Sequence, residues 1–344
     1  MRYRMILISI VLLLIGVQTA SAISAFDIRW GTDLNSNMAS NTLKQWAEGI
    51  EGRVGSNIGT GNIYYVDSNV TVEGDGKSWA NARNTLDEAV GLCTADNGDV
   101  IFLAPGHTET LGAAANEVDI DVAGVKVFAI GSGKLRALFD FTAATTTAFV
   151  IGADDVSVIN CQFLANVTDV PEAIAIEAGA EQVTISNCLF YANLEGTDEF
   201  LVCIDSQGAA SDRLTVTNCH FAMGAGAAVA AIQTLDSDYS IIASNIVFGD
   251  YSTACIYNKT TASNHIVIAG NLLFNGTIGA AGGLNTEPCI ELVATTTGIV
   301  ADNYVACNVA VDDDAIIGVA MFLFENMYSE TASSTVGIKT AAGS

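Results

Sequence analysis

Two carboxyl groups held about 5–9.5 Å apart can hydrolyse a glycosidic bond. The chain carries 38 acidic side chains, and Asp154, Asp155, Glu181 and Asp212 fall at similar places in a repeating pattern, so stacked turns could bring such a pair together. With so many acids, proximity also arises by accident. These four are read as turn residues, and no catalytic residue is assigned. Elimination on an acidic polymer needs a basic side chain to take a proton, and between Ala137 and Gly337 only Arg213 and Lys259 could do so. Asp312-Asp313-Asp314 is the densest acidic cluster. It could offer oxygen ligands to calcium but lacks the spacing and glycine of a dedicated loop, so a solvated turn is the simpler reading. His107, His220 and His265 have no metal-ligand spacing and are read as exposed singletons. No cofactor is expected, calcium being the one candidate. N-x-S/T sequons stand at Asn69, Asn166, Asn258 and Asn275, as Asn/Thr-rich turns produce by chance.

Composition narrows the partners. The formal charge is −25, half of the 344 residues are hydrophobic and 15% are charged. Such a chain repels nucleic acid, whose binding rests on Lys and Arg contacts to phosphate, and it repels anionic membranes. The acidity suits solubility in saline surroundings. Residues 1–22 read as a secretory leader: Arg2 and Arg4, an apolar run from Met5 to Val17, then Ala20-Ser21-Ala22. No later segment is fit to span a membrane, so a mature protein outside the cytoplasm is expected.

The elements that must position these groups come from a repeat. VSVINCQF (156–163), VTISNCLF (183–190), LTVTNCHF (214–221), IIASNIVF (241–248) and IVIAGNLLF (266–274) share one pattern, with GIVADNYVA (298–306) a looser sixth copy. Their asparagines, Asn160, Asn187, Asn218, Asn245, Asn271 and Asn303, recur every 26 to 32 residues. A period of that size marks a solenoid, and a short β-branched unit fits one coil of a parallel β-helix. Asn tolerates the left-handed geometry of a sharp corner, and stacked amides can hydrogen-bond up an asparagine ladder. Three apolar columns follow on this alignment. One is Cys161, Cys188, Cys219, Ile246, Leu272 and Tyr304, pointing inward. The second is Phe163, Phe190, Phe221, Phe248 and Phe274, ending at Ala306. The third is Ile151, Ile176, Ile204, Ile232, Ile256 and Ile290. Eight cysteines in a secreted chain suggest disulfides, but in-register side chains do not easily reach disulfide torsions, and reduced core thiols are the preferred reading.

Upstream, Leu43, Trp46, Ala47, Ile50 and Val54 have helical spacing. The next block reads NIYYVDSNV (62–70), GDGKSWANARNTLDEAV (74–90) and NGDVIFLAPGHTETL (97–111). It resembles the N-terminal cap of right-handed parallel β-helix proteins of the pectin-lyase-like fold, with a YVD strand, an SWA-x-A turn, a TL-x-x-A helix and a GD-x-I-x-x-APG strand. His107-Thr108 departs from the Thr-Tyr many relatives carry. With GVKVFAIGSGKLRALFDF (124–141), the block looks most like proteins encoded by bacteriophages, prophages and environmental bacteria. The resemblance implies fold more firmly than activity. Galacturonan hydrolases of this fold share NTD, DD, GHG and RIK strings, and only the DD pair Asp154-Asp155 occurs here.

The expected organisation is a signal peptide (1–22), an N-terminal segment with an amphipathic helix (23–61), an all-β right-handed parallel β-helix with a helical N-terminal cap (62–326, cap 62–111) and a C-terminal tail (327–344). In the cap, Leu86, Ala89, Val90 and Cys93 should plug the open core, and Val100, Phe102 and Ala104 should begin the first coil. The expected function is a secreted, non-enzymatic structural or adhesive protein of a cell surface, extracellular filament or virion. The alternative is a carbohydrate-active or carbohydrate-binding protein for a neutral polysaccharide. The expected partners are further copies of the chain, through the Thr42–Val54 helix or the tail after Asn326, and a surface polysaccharide.

Overall fold

A computed structural model of the chain describes residues 61–112, 115, 117–143, 148–192, 197–208, 210–224, 228–276, 286–308, 314–329 and 336–339. The leader, the Leu43–Val54 helix, Asp312 and Asp313 lie outside these residues.

Among the described residues, strands of two to seven residues stack, in parallel except for one terminal pair, into three sheets of ten, ten and eight strands. Each coil gives one strand to each in turn, as Ser157–Ile159, Gln162–Ala165 and Val170–Ile176 do. The sheets are called first, second and third in that order. The result is an all-β parallel β-helix, right-handed as the rule for parallel crossovers requires. In the cap block, Ile63–Val66 pairs with Val100–Leu103. A short helix, Leu86–Val90, begins at Thr85, whose side chain accepts the Glu88 N–H, and buries Leu86, Ala89 and Val90. Ile101 and Leu103 point into the core, while Phe102 faces outward, the reverse of the expected alternation. At the far end Val336–Lys339 pairs antiparallel with Asn326–Ser329.

The asparagine column divides into two. Asn160, Asn187 and Asn218 sit at the corner between the first and second sheets with φ of 64°, 54° and 56°. In later coils that left-handed position passes to Ser244, Gly270, Asp302 and Glu325. Backbone pairing fixes the register: Thr217 stands beside Ala243, and His220 beside Ile246. Asn245, Asn271 and Asn303 therefore fall one place later, in the inward column of Cys161, Cys188 and Cys219, and Asn326 extends it. These four asparagines are buried.

From Cys188 onward, every side-chain donor in this inward column finds the same kind of acceptor, a carbonyl of the preceding coil, whereas the Cys161 thiol points at the Ile159 carbonyl of its own coil. Cys188 and Cys219 point their thiols at the carbonyls of Val158 and Ile185, each 3.6 Å away. Asn245, Asn271, Asn303 and Asn326 donate to the carbonyls of Val216, Ile242, Ile268 and Val300 at 2.8–2.9 Å. Those six acceptors are one strand position in six successive coils. Each of the first three Asn amides also reaches the next Asn Oδ1, at 3.1, 2.9 and 2.9 Å. A buried amide satisfied in this way avoids the cost of an orphaned polar group.

The slip reassigns the neighbouring columns. Ile246, Leu272 and Tyr304 face solvent rather than the core. Phe163, Phe190 and Phe221 stack at 4.8 and 4.7 Å between ring centres, with their planes nearly parallel, and Phe139 extends the stack upstream. Val247, Leu273 and Val305 continue that inward position, while Phe248 and Phe274 lie on the outer side. The isoleucine column runs in register through Ile174, Ile204, Ile232, Ile256, Ile290 and Ile316. Ile151 pairs with Ile176, two places along the strand. All eight cysteines are free thiols, and all but Cys93 are buried.

Candidate functional site

The carboxylates singled out in the sequence do meet at one corner, where the third sheet passes to the first. Their oxygens serve the backbone. Asp154 Oδ1 accepts the Glu181 N–H at 2.8 Å, Asp212 Oδ1 accepts that of Asp238 at 2.9 Å, and Asp238 Oδ1 accepts that of Asn264 at 2.6 Å. Glu181 is paired with Arg213. The next residue in these coils takes left-handed geometry: Asp155, Gln182, Arg213, Tyr239 and His265 have φ of 53–60°. This corner is a capping ladder, in which Asp154, Asp212 and Asp238 each close the next coil and Glu181 is tied to Arg213. Of the acidic triplet, only Asp314 lies among the described residues.

His107 is not an exposed singleton. It is fully buried; its Nδ1 accepts the Ser68 N–H at 3.0 Å and its Nε2 lies 2.7 Å from Glu109 Oε1. With Nδ1 an acceptor, Nε2 carries the proton and donates to the carboxylate. Glu109 Oε1 also accepts the Leu86 N–H at 2.6 Å, tying the short helix to the second sheet. The His220 side chain is exposed, as expected, and His265 stacks on Tyr239 at 4.9 Å. Asn258 and Asn275 are fully buried, so their sequons are closed in the folded chain, whereas Asn69 and Asn166 are exposed.

A row the sequence reading missed runs along the third sheet. Asp205, Gln233, Tyr257 and Glu291 follow Ile204, Ile232, Ile256 and Ile290, pair in register, and lie on the opposite side of their strands. The signal was there: each is the residue immediately after a core isoleucine. Gln233 Nε2 donates to Asp205 Oδ1 at 2.8 Å, and both side chains are buried. Burial pushes the Asp205 carboxyl up from the usual carboxylate range, against the Gln233 hydrogen bond and the Lys259 charge. Burial alone raises Glu291. Tyr257 and Glu291 are half-buried and Lys259 is exposed. Lys259, one of the two expected basic candidates, therefore acts electrostatically on this row, while Arg213 belongs to the capping corner. Perturbed carboxyl groups beside a cation make the row the candidate site. Its reach is that of a binding surface. Asp205 and Glu291 are three coils apart, about 14 Å at the usual strand spacing, beyond the separation of a hydrolytic pair. Among the described residues no group of three or more His, Cys, Asp or Glu side chains is placed to hold a metal ion. None of their helices is long and apolar enough to cross a membrane.

No protein-family model matches the chain, and no curated protein matches it. Solved structures resemble it in fold. Pectate lyase Pel9A aligns over 84% of this chain and 80% of its own, with 18% identity and a TM-score of 0.44. A rhamnogalacturonan lyase aligns over 77% and 87%, with 13% identity and a TM-score of 0.34. The Dettilon tailspike protein aligns over 78% of this chain and 62% of its own, with 13% identity and a TM-score of 0.34.

Proposed function

We propose that the chain is an extracellular, non-enzymatic β-helix protein that adheres to a polysaccharide along its third sheet. The observation that carries this reading is the row Asp205, Gln233, Tyr257 and Glu291, one side chain per coil. Its accessible members, Tyr257 and Glu291, offer a phenol ring and a carboxyl group in line with the buried Asp205–Gln233 pair, a mixture of donor, acceptor and ring surface that holds a polyhydroxylated chain. Adhesion is favoured over turnover because, at the capping corner, Asp154, Asp212 and Asp238 each hold a backbone N–H of the next coil and Glu181 is paired with Arg213.

The test measures binding and turnover together on a panel of neutral and acidic polysaccharides. The reading expects binding with no new reducing or unsaturated ends. Tyr257→Ala should weaken that binding about tenfold, as loss of one good contact of roughly 1.4 kcal/mol does. A product that accumulates, and disappears in Lys259→Ala or Asp205→Asn, would instead establish the carbohydrate-active alternative, for which the Lys259 charge beside Asp205 is the favouring observation.

A further inference from the structure

The outer face of the second sheet carries a groove of about 550 Å³, away from the third-sheet row. Lys134 and Arg136 line one side, and Gln162, Leu189, Tyr191 and His220 line the rest. The two cations come from the link between Lys126–Ala129 and Leu138–Phe141, the others from the next three coils. In a chain of formal charge −25, a groove whose charged lining is two cations is an exception. Although His220 is exposed to solvent, partial desolvation by the surrounding groove wall holds its imidazole below its usual range, so Lys134 and Arg136 are the charges there.

The link is pinned in place. Asn160 Nδ2 donates to the Ala129 and Gly131 carbonyls at 2.6 and 2.8 Å, Gln162 Nε2 to the Arg136 carbonyl at 3.1 Å, and the Gly106 N–H to the Leu135 carbonyl at 2.7 Å. Gly131 is needed for this closure, since a Cβ there would stand 1.6 Å from the Leu135 oxygen. Lys134 and Arg136 make no ion pair with any described residue. The Arg136 Nε is buried without a hydrogen-bond partner. Buried polar groups are nearly always satisfied, and Arg136, which lines the groove, keeps an unsatisfied guanidinium nitrogen. A guanidinium is a planar fork that matches an oxyanion with two parallel bonds, and a neighbouring ammonium adds a point charge. A loop already held in its binding geometry loses little entropy on capture.

We infer that this groove is a second binding site, for an oxyanion group (sulfate, phosphate or carboxylate) held between Arg136 and Lys134. Tyr191 and His220 flank it with rings that suit the sugar of a polymer bearing that group.

The experiment titrates the full chain with three probes: inorganic sulfate, inorganic phosphate and a sulfated polysaccharide, with an uncharged dextran as control. Saturable binding of the simple anions is expected, weakening as salt screens the charges. Tighter binding of the sulfated polymer than of free sulfate would assign the groove to a polymer, and equal binding would assign it to the free anion. Lys134→Ala and Arg136→Ala should each weaken binding at least about tenfold, and Arg136→Lys should restore only part of it, because the fork is lost. Lys134 is exposed, so Lys134→Glu tests the site even if an Arg136 variant fails to fold. Absence of anion binding by the parent, or binding unchanged in folded Lys134→Glu and Lys134→Ala, overturns the inference. Tyr257→Ala, on the third sheet, should leave anion binding unchanged, so the two sites fail or stand separately.

Discussion

Asparagine does two jobs in this chain, and residue-scale substitutions separate them. At Asn218 the side chain is exposed and the backbone left-handed, so only conformational tolerance is at stake. Glycine shares that tolerance, and Asn218→Gly should change stability by no more than about 0.5 kcal/mol. At Asn271 the amide donates to Ile242 and Asn303 and accepts from Asn245, all within the core. Asn271→Ala orphans those partners and should cost roughly 1–3 kcal/mol in urea unfolding. Equal losses at the two positions would refute the division. Asp205 makes a pH-dependent case. Its folded pKa is raised, so below the ordinary carboxyl range it is protonated in both states and burial costs nothing. As pH rises through that range, the unfolded chain ionises first and the folded state is penalised. Asp205→Asn should therefore raise the melting temperature at neutral pH and lose that advantage towards pH 3. A constant difference across this window would show that burial of the charge is not the cause.

At the scale of elements, the inward column at the first corner behaves as one unit built from two residue types. Thiols fill it in the earlier coils and amides in the later ones, and from Cys188 onward both are aimed at the same carbonyl of the coil before. Hydrogen bonding to Cys188, together with burial, pushes the Cys161 thiol up, and burial does the same for Cys219, while the hydrogen bonds from these two lower the Cys188 thiol against its own burial; what keeps all three from a reagent is that they have almost no exposed surface. Cys161, Cys188 and Cys219 should resist alkylation in the native state and label together on unfolding. Native-state labelling of all three, or a mass showing that they are bridged, would contradict the column. The aromatic stack beside it stops after Phe221, because the next coil places Val247 there and turns Phe248 outward. Alternate residues of a strand face opposite sides, so a slip of one position exchanges core and surface for the whole strand.

For the whole molecule, strong acidity and exposed apolar groups pull in opposite directions. Phe322 is 74% exposed and Phe324 58%, on the first sheet, and Tyr304 is 55% exposed on the second. Such strips mark contact sites in many proteins, while a charge of −25 keeps copies apart at low salt. Physiological salt screens charge beyond about 8 Å. Self-association is proposed on this balance: light scattering should report larger species as salt rises, and Phe322→Lys should suppress them. A monomer at every salt concentration would sink the assembly reading and leave polysaccharide as the partner.

Much of the fold is legible from local pattern. Alternation of apolar and polar residues, a repeat of 26 to 32 residues and a corner-forming residue in each copy are properties of short stretches, and together they specify stacked parallel coils. The cysteines read correctly as buried for the same reason. What the pattern could not decide was register. Asn218 and Asn245 look equivalent in the chain, yet backbone pairing sets Asn245 beside Cys219, and only the hydrogen bonds between coils distinguish the two alignments. The sites lay further out of reach. His107 depends on Ser68 and Glu109, and the basic groove joins Lys134 and Arg136 to Tyr191 and His220 from later coils. Such meetings arise from how coils stack, which is a property of the closed solenoid and not of any segment within it.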